Sequence, residues 1–319
     1  MERTQLTTTP LGGTGLEITQ IGLGAWAIGG GDWQFGWGPQ DDEESIAAIH
    51  EALDRGVNWI DTAGAYGLGH SERVIRRALE GRRERPLLFT KAGVVAGADG
   101  DTRRCLERDS VLREVEQSLE RLGVDAIDLY QIHWPAPDAA EFEAGWRTFA
   151  QLRERGLVRH IGVSNCDVEQ LRRLQQIAPV ETLQPQYSLI AREVEAEILP
   201  FALREGIGVI VYSPMGSGLL TGRMTRERVE ALPENDWRAR SERFRDPQLA
   251  SSLALVERLG AVAQRHGVSI GAVATAWTLR NPAVDAAIVG FRRPDQVEPI
   301  LIGAELALSD DDVRKIEAT

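Results

Sequence analysis

The chain alternates short apolar runs with longer stretches in which apolar positions recur at helical spacing. The apolar runs are 18–25 (ITQIGLGA), 57–61 (VNWID), 86–91 (PLLFTK), 127–133 (IDLYQIH), 158–164 (VRHIGVS), 182–187 (TLQPQY), 206–213 (GIGVIVYS) and 285–290 (DAAIVG). Amphipathic stretches lie near 41–55, 70–80, 109–122, 141–155, 167–177, 192–205, 250–266, 269–280 and 294–303. Runs rich in Val, Ile and Leu predict parallel strands buried on both faces, and the helices supply the crossovers that such strands require. Gly56, Gly156 and Gly206 each follow a charged helix end and precede a strand, where a left-handed helix stop is expected. Asp109 or Ser110 is placed to cap the helix near 109–122. The segment 214–249 breaks this rhythm as a long, polar, irregular loop after the seventh strand, the kind of segment that usually serves function.

Eight strand–helix units can close into a barrel or lie open as a doubly wound sheet. An open sheet would carry a dinucleotide fingerprint at its switch point. Gly22-Leu23-Gly24-Ala25-Trp26-Ala27 spells one, yet no helix opens there, and the chain continues as a glycine-rich loop through Pro39. Those glycines predict instead that the first strand and its loop pass close to a neighbour. The stretch 216–222 lacks the Lys-Ser/Thr pair of a phosphate loop. A closed barrel accounts for the whole chain as a single domain, 1–319.

The composition excludes several classes. Hydrophobic residues make up 43% and charged residues 26%, enough apolar material for a sizeable core. The net charge of −12 argues against nucleic acid and anionic membranes as partners, while leaving room for a small cationic pocket. Two cysteines, Cys105 and Cys166, cannot build a disulfide framework. The start, MERTQLTTTP, has no apolar signal region, and no run approaches a membrane span, so a cytoplasmic location is expected.

Candidate chemistry gathers at three consecutive strand ends. Asp61 ends VNWID, with Tyr66 in the loop behind it; Lys91 ends PLLFTK; His133 ends IDLYQIH. In a parallel barrel these ends converge on the face where active sites form. A charge ending an apolar run must be paired or used, and Lys91 and Asp61 on neighbouring strands can pair. A cation beside Tyr66 would lower its pKa and make it a proton donor and acceptor near neutral pH. Taken singly, each residue has an ordinary role as cap, packing group or solvated charge. Their occurrence in register is what singles them out. No metal site is expected.

At these residues the chain resembles the aldo-keto reductase superfamily, in the bacterial branch of general stress protein and inositol-operon reductases. The matching motifs are GLEITQIGLGAWAIGG, NWIDTAGAYGLGHSE, LLFTKAG, LGVDAIDLYQIHWP, RHIGVSN, LQPQYSLI, VIVYSPMGSGLLTGRM and AAIVGFRRPDQVE, in order to about residue 300. The resemblance implies an α/β fold: a (β/α)8 TIM barrel with an N-terminal β-hairpin and a long loop after strand seven. It also implies NADP(H)-dependent reduction of a small-molecule aldehyde or ketone. Tyr66 then corresponds to the general acid, Lys91 and Asp61 to the pair that tunes it, and His133 to the group that orients the carbonyl. Ser164, Asn165 and Gln186 correspond to residues that bind the nicotinamide carboxamide, with Gln186 ending strand six, and Tyr212 to the aromatic stacked on the ring. Ser213, Gly216, Ser217 and Leu219 would contact the pyrophosphate, with Arg223 beyond them. Gly290, Arg292, Arg293 and Gln296 match the adenosine segment, where two guanidinium forks suit a ribose 2′-phosphate. Phe291 and Ile300 depart from the family pattern.

Tryptophan is the commonest aromatic, with eight against seven Phe and four Tyr. Trp26 and Trp134 are expected to wall a substrate pocket, with Trp33 and Trp37 crowding the same loop as Trp26 and Trp237 covering the cofactor. Trp59, Trp146 and Trp277 fall in strand or helix patterns and read as core. An alternative is an NADP(H)-binding redox-sensing subunit with little turnover. A third reading uses Lys91 as the Schiff base of an aldolase or isomerase.

Overall fold

The computed structural model describes residues 6–97 and 101–318. The start of MERTQLTTTP and the ends of the expected 1–319 domain therefore lie outside the described residues. Eight parallel strands close into a barrel: β1 (Ile21–Gly24), β2 (Trp59–Asp61), β3 (Leu87–Ala92), β4 (Ile127–Ile132), β5 (Val158–Ser164), β6 (Thr182–Gln184), β7 (Gly208–Tyr212) and β8 (Ala286–Gly290). They follow one another around the ring in chain order, and β8 pairs with β1 to close it. This is a (β/α)8 TIM barrel, and all eight apolar runs supply its strands.

The outer helices sit where the apolar periodicity puts them. They include α1 (Asp42–Asp54), α2 (His70–Leu79), α3 (Arg108–Leu122) and α4 (Ala139–Glu154). Asp41 and Asp138 cap α1 and α4 by accepting backbone N–H groups of Glu44 and Glu141. The third helix departs from expectation. It starts at Arg108 after Glu107, which makes no side-chain cap. Asp109 and Ser110 lie inside its first turn, where Ser110 donates to Glu114 instead. Gly56, Gly156 and Gly206 have φ of 97°, 74° and 67°, the left-handed stops that the sequence pattern predicts.

The expected N-terminal hairpin pairs Thr8–Pro10 with Glu17–Thr19 and floors the barrel. Its Leu11 and Ile18 pack with Trp59, Phe89, Leu129 and Ile210 inside the ring, and Trp59 Nε1 donates to the Thr19 carbonyl. The first-strand glycines make the predicted close approach. A Cβ on Gly22 would stand 2.1 Å from the Trp59 ring, and one on Gly24 would stand 2.6 Å from Ile288. Trp59, Trp146 and Trp277 are core residues.

Three features were not legible beforehand. A second hairpin, Val94–Ala96 with Thr102–Arg104, rises after β3. A further helix, Asp310–Glu317, follows the expected elements. The segment 214–249 is more ordered than its polarity suggests. It holds a helix, Arg226–Glu230, several 3-10 turns and a small core of Leu219, Met224, Phe244 and Leu249. No helix of the described residues is long and apolar enough to cross a membrane.

Candidate active site

Parallel register brings the ends of β2, β3 and β4 together, β6 faces them across the ring, and Asp61 lies at the centre of what they carry. Lys91 Nζ donates to Asp61 Oδ1 at 2.5 Å and to the Thr62 carbonyl at 2.9 Å. The other carboxylate oxygen accepts from Gln184 at 2.9 Å and more distantly from Gln131 at 3.5 Å. Both ion-pair side chains are buried. Burial pushes the Asp61 carboxyl up and the Lys91 ammonium down, and each group's charge opposes the other's shift.

Tyr66 sits over this pair, with Lys91 Nζ 5.4 Å from its ring centre and the His133 ring edge-on at 5.6 Å between centroids. The structure reverses the expected direction of its pKa. Burial, then the Asp61 charge, push the Tyr66 hydroxyl well above 10. The physical reason is that Asp61 answers the Lys91 charge, so desolvation of tyrosinate dominates. Burial and the Lys91 charge push His133 well below 6.5, so its imidazole is neutral at pH 7. His133 Nδ1 is buried without a partner among the described residues.

Beside His133 the predicted polar residues form one connected set. Asn165 Nδ2 donates to the His133 carbonyl, and its Oδ1 accepts from the Tyr212 hydroxyl at 2.8 Å. Ser164 Oγ donates to the Gln184 carbonyl at 2.7 Å. Asn165, Ser213 and Ser217 all have positive φ, 60°, 58° and 56°, in a region that non-glycine residues rarely adopt. Gly216 and Gly218 add two further left-handed positions at 56° and 98°. Such local strain clusters where a surrounding structure is built around a ligand. Leu219, in contrast, points into the small core of its own loop.

Gln186 does not end strand six. The strand stops at Gln184, because Pro185 has no N–H to continue the ladder, and Gln186 lies beyond it in a single bridge to Tyr212. Gln184 and Gln131, which touch Asp61, are the site residues that sequence reasoning missed. One signal was available for Lys91: the chain has only two lysines, Lys91 and Lys315, among 36 basic residues. Lysine, unlike arginine, changes its protonation readily when buried.

The arginine pair divides. Arg292 binds the loop after β1, with Nε on Gln40 at 2.5 Å, Nη2 on the Pro39 carbonyl at 2.5 Å and Nη1 on the Trp37 carbonyl at 3.3 Å. The expectation that both guanidinium groups face a ribose phosphate meets a divided pair: three of the five N–H groups of Arg292 are spent on this loop, which leaves one on each terminal nitrogen. Arg293 is exposed and pairs with Asp295 at 3.0 Å. Gln296 accepts from the backbone N–H groups of Arg292 and Arg293, which shapes the turn after Gly290. Arg223 is exposed, and its charge reaches Asp295. Phe291 is buried at 1% exposure, and Ile300 packs in the same outer core.

Aromatic rings wall the mouth. Trp26 lies 6.3 Å from Tyr66, stacks on Trp237 at 5.3 Å and meets the edge of Trp37 at 5.2 Å, while Trp33 approaches Tyr66 at 6.0 Å. The backbone N–H of Trp237 donates to the Gly36 carbonyl, which ties the long loop after β7 to the loop after β1. Trp134 stands apart from this wall, 36% exposed, with the Arg104 guanidinium 4.8 Å over its ring. Among the described residues no group of three or more His, Cys, Asp or Glu is placed to hold a metal.

Comparison with known proteins agrees with this geometry. The family model described as the aldo/keto reductase family matches residues 20–319. Aldo-keto reductase YhdN of Bacillus subtilis is 38% identical over 97% of this chain and 92% of its own length. The NADH-specific methylglyoxal reductase of Escherichia coli is 33% identical over 95% of each chain. The glycerol dehydrogenase AKR11B4 from Gluconobacter oxydans superposes with a TM-score of 0.86 at 34% identity, over 97% of this chain and 94% of its own. The fold, the site at the C-terminal ends of its strands and these relatives agree: the chain belongs to the aldo/keto reductase family, whose members are oxidoreductases that reduce carbonyl groups with a nicotinamide cofactor.

Proposed function

We propose that the protein reduces a small aldehyde or ketone to the alcohol with NADPH, with Tyr66 as the proton donor. The observation that carries this reading is the Tyr66 hydroxyl. It makes no hydrogen bond to a protein group among the described residues, and it faces a mouth walled by Trp26 and Trp33 beside His133. When bound, the cofactor supplies a hydride to the carbonyl carbon. The residues Ser164, Asn165, Tyr212, Ser213, Gly216 and Ser217 suit it, because they combine amide and hydroxyl donors with left-handed backbone that admits close approach. Neutral His133 and the Tyr66 hydroxyl hold the carbonyl oxygen. Tyr66 donates its proton to that oxygen as charge develops there. A tyrosine held well above its usual pKa stays protonated through neutral pH, so the donor is always loaded. The Lys91–Asp61 pair beneath keeps a cation close to the oxygen as it loses that proton. The same reading takes residues 1–319 as one catalytic domain. It also places the protein in a reducing, cytoplasmic setting, in keeping with the buried and unpaired Cys105 and Cys166.

Tyr66→Phe tests the donor. Cofactor binding should persist, while turnover falls about 10²–10⁴-fold; retained turnover refutes the assignment. Preference for NADPH rests on Arg293, the exposed guanidinium of the pair, with Arg223 nearby. A second reading, use of NADH, is favoured by the commitment of Arg292 to the loop 37–40 and by the carboxylate of Asp295 beside Arg293. Arg293→Ala separates the two. Under the first reading the NADPH-to-NADH ratio of kcat/KM falls about tenfold or more, one charge-assisted contact being worth about 1.5–3 kcal/mol. An unchanged ratio supports the second.

A further inference from the structure

Behind the Lys91–Asp61 pair lies a second ion pair, with a buried carboxylate and a partly buried guanidinium, that the reaction does not use directly. Glu72, in the first turn of α2, is fully buried. One of its oxygens accepts from Thr90 Oγ1 at 2.8 Å and the other from Arg121 Nε, on α3, at 2.6 Å. Thr90 is also fully buried and immediately precedes Lys91 on β3. Arg121 lies against both ends of the loop that carries Tyr66. A Cβ on Gly64 would stand 3.1 Å from its Nη2, and one on Gly69, whose φ is +90°, would stand 2.6 Å from its Cδ. Ser71, the neighbour of Glu72, hydrogen-bonds Thr62, whose carbonyl accepts from Lys91. One turn of α2 therefore reaches both halves of the catalytic set.

A buried ion pair contributes little stability over a well-packed apolar replacement, because desolvation offsets most of its attraction. What it supplies here is geometry. We propose that Glu72 and Arg121 are positioning residues: their ion pair fixes the Tyr66 loop and the Thr90–Lys91 step of β3 relative to one another, so that the proton donor and its supporting cation stay in register. The inference rests on the carbonyl-reduction reading and names residues to which that reading gives no part. Glu72 also acts on Lys91 through its charge, favouring the ammonium form. The other titratable and charged groups around the two pairs are Tyr66, Glu114, Arg113, Tyr130 and His133.

The test uses the full-length protein and the variants Glu72→Gln, Arg121→Lys, Arg121→Met and Thr90→Val. Glu72→Gln should lower kcat about 10- to 100-fold, the scale of a misplacement of about 1 Å. Cofactor dissociation constants should stay within about threefold of wild type, as expected when only the reacting geometry is lost. The alkaline limb of the kcat profile should move to lower pH. Arg121→Lys should recover part of the kcat that Arg121→Met loses. A readout independent of turnover is available because the chain has only two lysines. With [ε-¹³C]lysine, the Lys91 signal should titrate at lower pH in Glu72→Gln than in the wild type.

Folded Glu72→Gln with wild-type kcat and an unmoved Lys91 midpoint overturns the proposal. So does a fall in kcat matched by an equal loss of cofactor affinity. If Glu72→Gln does not accumulate, Thr90→Val decides: it keeps the ion pair and must still lower kcat at unchanged cofactor affinity, and a wild-type kcat overturns the proposal. A wild-type protein that reduces no carbonyl refutes the reading of the preceding subsection, and the Lys91 midpoint then decides this one.

Discussion

Asp61→Asn removes one charge from a buried pair and leaves the shape almost unchanged. In the wild type, Oδ1 accepts from Lys91 while Oδ2 accepts from Gln184 and Gln131. An amide has one acceptor, so its NH2 must face either the ammonium or the glutamine donors. In either orientation Lys91 keeps the Thr62 carbonyl at 2.9 Å but loses the Asp61 charge, the largest influence favouring its ammonium form. It escapes by losing its proton. Against an unfolded lysine near pKa 10.4, this costs about 5 kcal/mol at pH 7 and about 2 kcal/mol at pH 9. The bound at pH 7 lies at the upper edge of the roughly 3–5 kcal/mol expected for breaking a buried pair. The sign follows from proton counts. The folded variant holds no proton on Lys91 and the unfolded chain holds one, so the variant's stability rises with pH until the unfolded lysine also deprotonates. In the wild type Lys91 is also lowered, but the Asp61 charge opposes that shift, so its corresponding window opens at higher pH. Urea unfolding of both proteins at pH 7 and pH 9 measures the difference. The penalty should shrink by up to about 3 kcal/mol between the two. A penalty below about 1 kcal/mol at pH 7, or one that does not change with pH, would show that Lys91 is neither isolated nor neutralised, and the reasoning would fail.

Two further outcomes follow from the buried groups of the barrel. Burial raises the Glu114 carboxyl, which accepts the Gly93 N–H, to about 7. Its folded pKa lies above its unfolded value of 4.5, so its contribution is present at low pH and lost as pH rises toward 7; it amounts to at most about 3 kcal/mol. Glu114→Gln should therefore flatten the decline in stability between pH 5 and pH 8, and an unchanged slope in urea unfolding refutes the shift. Gly22→Ala forces a methyl to within 2.1 Å of the Trp59 ring, inside the barrel against its floor. It should cost about 3 kcal/mol or more by overpacking, and a wild-type urea midpoint would show that Trp59 can move aside.

The barrel was legible because its strands are buried on both faces, so each becomes a short run of Val, Ile and Leu bounded by polar or glycine stops. Asp61 and Lys91 were legible for a related reason, since a charge closing such a run demands a partner, and the neighbouring strand end supplies it. The polar lining proved harder to read. The repeat Gln-Pro-Gln offered two glutamines, and only the end of the β6 ladder at Pro185 shows that Gln184 is the one on Asp61. The hairpin Val94–Ala96 with Thr102–Arg104 was missed because its strands are three residues long and largely exposed, too short for a period to register.

The sequence by itself determined the order of the strands, the helices between them and the residue types at the strand ends, because periodicity and burial act locally along the chain. Tertiary structure decided the charge state of the site and the tasks of its arginines. Tyr66 is pushed up rather than down because Asp61 answers Lys91 and water is excluded, and both depend on the closed barrel. Arg292 holds a loop 252 residues away, while Glu72 reaches Arg121 across two helices. Desolvation and long-range pairing depend on distances that exist only once the ring has closed.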